Sequence, residues 1–169
     1  MADGCANVVP QLRLGIPVLE DYAYVAKRMR VDEIEQFLAK TNLKTYDSDT
    51  CARVAASITG PAYVYVDRSG YPVLIGGFEP LRHGVYEAWM MGTDEAWKKY
   101  WRSFTKIAKR MMADMFSDDA HRIQTAALTT RPLSHFWYER LGMKNEGVQK
   151  RYCANGQDAV MFAITKELP

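Results

Sequence analysis

The sequence predicts an α+β domain: a twisted mixed sheet, mostly antiparallel, of about seven strands with flanking helices. Three observations predict it. Apolar residues recur at helical spacing up to residue 58, alternate with a period of two between residues 62 and 91, then return to helical spacing as far as residue 115. Turn signals at Asp67-Arg68-Ser69-Gly70 and Arg82-His83-Gly84 call for antiparallel connections. Helical segments set between later strands call for crossovers, so the sheet must be mixed.

Residues 8–16 alternate well enough for a first strand, with Pro10 making its start irregular. Pro17 opens a helix whose apolar positions include Leu19, Tyr22, Val25, Ala26 and Met29. Asp32 is expected to cap a second helix over 33–40, burying Ile34, Phe37 and Leu38, and Asp49 a third over 50–58. Gly60-Pro61 ends the helical region. Residues 62–67, 71–78 and 85–91 read as a three-stranded meander. Gly76-Gly77 inside its second strand suggests a bulge or a close backbone approach. Thr93 or Asp94 caps the longest helix, to about residue 115, with Trp97, Trp101, Phe104, Met111 and Met112 in its apolar stripe. A strand over 122–129 leads to a helix that Pro132 opens and Gly142 stops. Residues 147–153 and 158–165 close the chain as a hairpin about Asn155-Gly156.

The 169 residues suit one domain, 1–169, with a substantial core. A formal charge of +2 is too small to argue for nucleic acid by itself. The basic face of the long helix, Lys98 to Arg110, offers a weak nucleic-acid footprint or a grip for an acidic partner. No apolar run approaches the ~20 residues of a membrane helix, and residues 1–7 carry no secretory pattern. Cys5, Cys51 and Cys153 are widely spaced, which reads as reduced thiols in a cytoplasmic setting. His83, His121 and His135 lack ligand spacing, so no metal is expected.

The stretch Tyr138-Glu139-Arg140-Leu141-Gly142-Met143, with the small Ser134 before it, resembles the Tyr-Glu-Lys-Leu-Gly-Phe signature of the GNAT N-acetyltransferase superfamily. Arg131 stands where that signature carries Asn. The element order is similar too, so the resemblance implies a GNAT-like sheet. A narrower likeness rests on Gly76-Gly77, Thr93-Asp94 with Trp97, Ser134-His135 and Ala163-Ile164-Thr165-Lys166. Those residues resemble the internal virion protein A family of short-tailed bacteriophages. That resemblance implies a phage protein in the host cytoplasm or the virion, acting in particle assembly through a protein partner.

A GNAT enzyme needs a loop after its fourth strand whose glycines bring free N–H groups to the coenzyme A pyrophosphate. Here Gly92 is followed by Thr-Asp-Glu-Ala-Trp-Lys-Lys-Tyr-Trp-Arg, with no second glycine. Asp94 and Glu95 put negative charge at the helix start, which suits the dipole and opposes a phosphate. The resemblance implies Tyr138 as general acid, and Glu87 is the best base candidate, with Glu79 weaker. If the site is enzymatic, Met91, Lys98, Lys99 and Arg131 are the cofactor-binding candidates. Two readings follow. One is a protein-contact role with a degenerate acetyl-CoA site and no cofactor. The other is an active acetyl-CoA-dependent N-acetyltransferase.

Overall fold

The computed structural model describes residues 11–13 and 16–167. Seven strands form one sheet in the order β1-β2-β3-β4-β5-β7-β6. They are β1 Gln11–Arg13, β2 Ala62–Val66, β3 Pro72–Arg82, β4 Val85–Gly92, β5 Arg122–Leu128, β6 Lys144–Gln149 and β7 Ala159–Thr165. All neighbours are antiparallel except β4 and β5, which run parallel. The predicted mixed, mostly antiparallel sheet of about seven strands is the one observed.

Helices α1 Leu19–Ala26, α2 Val31–Thr41 and α3 Ser48–Ala56 connect β1 to β2. Tyr22, Val25, Cys51 and Ala55 from this group pack on Val64, Ile75 and Met91 of the sheet. On the opposite face lie α4, Trp101–Ser117, and α5, Pro132–Arg140. There Met112 and Tyr138 pack with Phe78, Ile123 and Phe162. Strand alternation sends successive side chains to these two cores, which is why β2 to β4 are apolar on both faces.

Several element ends differ from the sequence expectation, each for a local reason. Residues 8–10 of the expected first strand, and Cys5, lie outside the described residues. Asp47, not Asp49, caps α3, accepting from the Thr50 N–H at 2.7 Å. Arg30 occupies the cap of α2 without a side-chain bond. Asp32 lies one residue inside that helix and turns to arginines instead. In α2 the buried residues are Glu33 and Ala39, with Ile34 and Phe37 only partly buried. The long helix does not start as an α-helix: Ala96–Tyr100 form a wider π turn before α4. Strand β6 ends at Gln149, before the expected 147–153 segment is complete. Asp158 draws the Arg151 N–H and Lys150 Nζ into a loop, with Arg151 at φ 51°. Asn155-Gly156 is therefore a turn within that loop, closed by the Gly156 N–H to Cys153 O.

The glycine pair in β3 is a close approach. A Cβ on Gly77 would lie 2.3 Å from Pro61 O, and one on Gly76 2.9 Å from Trp89 O. Only bare backbone lets β3 sit this tightly between its neighbours.

Candidate active site

The site begins with a split in the sheet. Strands β4 and β5 pair only over Val85–Glu87 and Arg122–Gln124. Beyond that point β4 stays paired to β3 through Gly92, and β5 stays paired to β7 through Leu128. A gap opens between them. The Gly92 N–H and carbonyl both turn away from β3, bonding Glu33 and Arg30. By the alternation of strand hydrogen bonding, Ala88 and Met90 also aim their backbone groups into the gap, while Met91 aims its own at β3.

A cavity of about 320 Å³ runs through this gap, lined from both faces of the sheet. Phe37 and Ala55 border it on the α1–α3 face, and Met111, Trp137 and Tyr138 on the α4–α5 face. Its walls are largely apolar, which suits a small organic ligand with a few fixed polar contacts.

Helix α2 spans the opening with a polar stripe, Glu33, Gln36 and Lys40, spaced three and four residues apart. Each residue of the stripe holds a different part of the split. The Gly92 N–H donates to Glu33 Oε2 at 2.6 Å, and Trp97 Nε1–H donates to Glu33 Oε1 at 2.6 Å. Gln36 Nε2 donates to Ala126 O at 3.2 Å, and the Leu128 N–H donates to Gln36 Oε1 at 2.8 Å. One carboxamide thus replaces the strand partner that β5 lacks, satisfying a donor and an acceptor that would otherwise be orphaned. Lys40 Nζ pairs with Glu87 Oε1 at 3.3 Å.

Glu33 is the most perturbed acid here. Burial pushes its carboxyl up to about 7, against the pull of the Gly92 N–H, the nearby Arg131 and the Trp97 N–H. It therefore exchanges a proton near neutrality. Tyr138 is 9% exposed. Burial raises its phenol above the ordinary tyrosine value, and Arg131 and Thr125 oppose the shift while Glu33 and Glu87 add to it. The phenol keeps its proton at neutral pH, as a proton donor must.

The residues expected from the sequence are placed as follows. Tyr138 borders the cavity. Glu87 lies at the point where the strands part, bonded to Lys40. Glu79 sits opposite Glu87 on β3, beyond the gap. The Met91 side chain is buried in the α1–α3 core. Arg131 is buried, and its Nε and Nη2 donate to Asp32 Oδ2 at 3.1 and 2.9 Å. Lys98 and Lys99 are exposed and pair with Asp94 and Glu95, each one helical turn back. Glu33 and Gln36 were not singled out from the sequence. Their signal was a polar stripe beside the apolar one on α2.

The fit to an acyl-coenzyme A divides along this path. The apolar gap and the free backbone edge of Ala88 and Met90 suit a pantetheine arm. The segment after β4 suits its pyrophosphate less well. Glu33 already takes the Gly92 N–H, Thr93 Oγ1 takes the Ala96 N–H at 3.1 Å, and two carboxylates flank the helix start.

No protein-family model matches the chain, and no curated protein matches it. Solved structures do. A spermidine N-acetyltransferase from Vibrio cholerae, in complex with CoA and spermine, superposes with a TM-score of 0.69 at 15% identity, over 92% of this chain and 95% of that one. An acetyltransferase of the GNAT family from Bacillus anthracis gives a TM-score of 0.68 at 15% identity, over 93% and 96%. The chain has the GNAT fold.

Proposed function

We propose that this chain is an N-acyltransferase that moves an acetyl group from acetyl-CoA to an amine of a protein or small molecule. The observation that carries the reading is the cavity through the β4–β5 split, bordered by Tyr138 and Glu33. The spermidine acetyltransferase with a similar fold, solved with CoA, adds support.

Acetyl-CoA would supply an acyl group activated as a thioester. Ala88 and Met90 would hold its pantetheine arm through their backbone groups. Glu33 Oε1 and Oε2, poised near neutrality, can take the proton of an incoming ammonium. Tyr138 Oη holds the proton that a departing sulfur needs. Burial of both groups keeps water from competing for these protons.

A calorimetric titration with acetyl-CoA tests the reading, paired with mass detection of acetyl transfer to a panel of amines. Submillimolar binding is expected. Tyr138→Phe should bind acetyl-CoA as the parent does and transfer about 10²-fold more slowly, the scale of one general acid. Absence of binding at millimolar acetyl-CoA removes the proposal.

One set of observations favours a second reading. The segment after Gly92 is glycine-free and opens with two carboxylates, Asp94 and Glu95, and α5 exposes Leu133 and Phe136 at 71% and 67%. On that reading the chain is a phage GNAT-fold protein of the host cytoplasm or virion, working by protein contact in assembly with a degenerate acetyl-CoA site. The same titration separates the two.

A further inference from the structure

The cavity through the split limits the kind of amine it accepts. Among the described residues that line it, Glu33 is the only carboxylate. On the α1–α3 side its wall is built by Phe37 of α2, Val54 and Ala55 of α3, and Ile58 just beyond. Val54 is 37% exposed, Ala55 7% and Glu33 6%, so the apolar wall reaches solvent while the carboxylate is buried. Phe37 packs edge-on against Tyr46 with ring centroids 6.1 Å apart, and Tyr46 Oη donates to Ala26 O at 2.6 Å. That side of the cavity is therefore a rigid aromatic surface.

Two further features narrow the choice. Glu87 is held by Lys40, and Asp32 by Arg30 and Arg131, so neither acid is free for a second ammonium. The open edge of β5 is also taken. Gln36 occupies Ala126 O and the Leu128 N–H, the groups by which an added strand would pair there. On the acyltransferase reading, Ala88 and Met90 of β4 serve the acyl arm. An extended peptide thus finds no strand edge to join inside the split.

We infer that the acyl acceptor is a small primary monoamine with an apolar body, its ammonium on Glu33 and its hydrocarbon against Phe37, Val54 and Ile58, rather than a polyamine or the lysine of an extended peptide. The inference rests on the acyltransferase reading and selects the substrate class within it. One buried carboxylate compensates one buried ammonium, and a second ammonium in the same cavity would be buried unpaired. Apolar walls favour hydrocarbon in proportion to the area removed from water. In the transfer the C–N bond forms as the thioester C–S bond breaks. Of the two protons that leave the nitrogen, one goes to Glu33 and the other replaces the one that Tyr138 gives to sulfur.

The test uses the full chain with acetyl-CoA and offers phenethylamine, hexylamine, spermidine and a lysine-containing peptide as acceptors. Acetylation is followed by mass and acetyl-CoA binding by calorimetry. In the parent, kcat/KM for the two monoamines should exceed that for spermidine and for the peptide by about tenfold or more. Val54→Glu adds an acid at the partly exposed rim. It should shift the ratio of spermidine to monoamine turnover about tenfold toward spermidine and leave acetyl-CoA affinity unchanged, while Val54→Leu keeps the parental order. A parent that prefers spermidine or the peptide overturns the inference and leaves the acyltransferase reading standing. Unchanged selectivity in Val54→Glu at parental acetyl-CoA affinity overturns it as well. If Val54→Glu loses acetyl-CoA binding through damage to the fold, the parent's own order of amines decides. A parent that binds no acetyl-CoA removes both readings.

Discussion

Between Ala88 and Met90 the split is bordered by unpaired backbone and largely apolar side chains, whereas at Gly92 it is crowded with charge. Along this part Ala88 and Met90 face a cavity, and Tyr138 borders it. At the second end Glu33 accepts from Gly92 and Trp97, Asp32 holds Arg131 and Arg30, and Asp94 and Glu95 hold two lysines. The acyl-transfer geometry and the usual anion site have therefore diverged within one strand. The space for an acyl arm needs only that two strands part. An anion site needs free donors, and here the chain's own carboxylates have taken them.

The largest effect expected from disturbing this contrast is at Glu33. Glu33→Ala leaves the Gly92 N–H and Trp97 Nε1–H buried and unpaired and opens space beside them. The loss should be about 2–4 kcal/mol at pH 6, seen in chemical denaturation. A loss below about 0.5 kcal/mol would mean that α2 does not tie down the end of β4.

The pH dependence of stability sharpens the same point. The folded Glu33 carboxyl sits at about 7, above the roughly 4.3 of an unfolded glutamate. The folded state thus binds more protons than the unfolded state between those values. This contribution to stability is complete below about pH 4.3, falls as pH rises through the window, and levels off above about 7. Its size is about 4 kcal/mol. Glu33→Gln removes it, so the stability difference between parent and variant should shift by that amount from pH 4 to pH 8, in the direction of a weaker parent. Asp47, Glu146 and Asp158, whose carboxyls are held below the usual range, act with the opposite sign and cancel in the difference.

The sheet was readable from the sequence because its signals are local. Alternation over residues 62–91, the two turns of the meander and the Pro132-to-Gly142 helix each depend on neighbours in the chain. The split was not readable. It is a loss of pairing between strands whose residues stand 37 positions apart, as in Tyr86 and Ile123, and no local pattern records where pairing ends. Glu33 was missed for a related reason. An acid in the first turn of a helix reads as a dipole partner, and only the tertiary position of β4 makes it a buried group. Arg131 was readable as a departure from the family signature, but its partner Asp32 lies 99 residues away. Tyr138 was found because its motif is contiguous.

The smallest expected effect concerns the helix start itself. Asp94 and Glu95 are exposed and bonded to exposed lysines, so solvent screens both pairs and they add little to stability. Their charge still opposes an anion at the π turn. Replacing both, Asp94→Asn with Glu95→Gln, frees Lys98 and Lys99 and removes two negative charges from the positive end of the helix dipole. Each charge there carries about 0.3–1 kcal/mol. CoA should therefore bind roughly three- to thirtyfold more tightly at low salt, with little change in melting temperature. The gain should shrink as ionic strength rises, because exposed charges are screened within about 10 Å at 0.1 M. An unchanged affinity at low salt would place the phosphates away from the helix start.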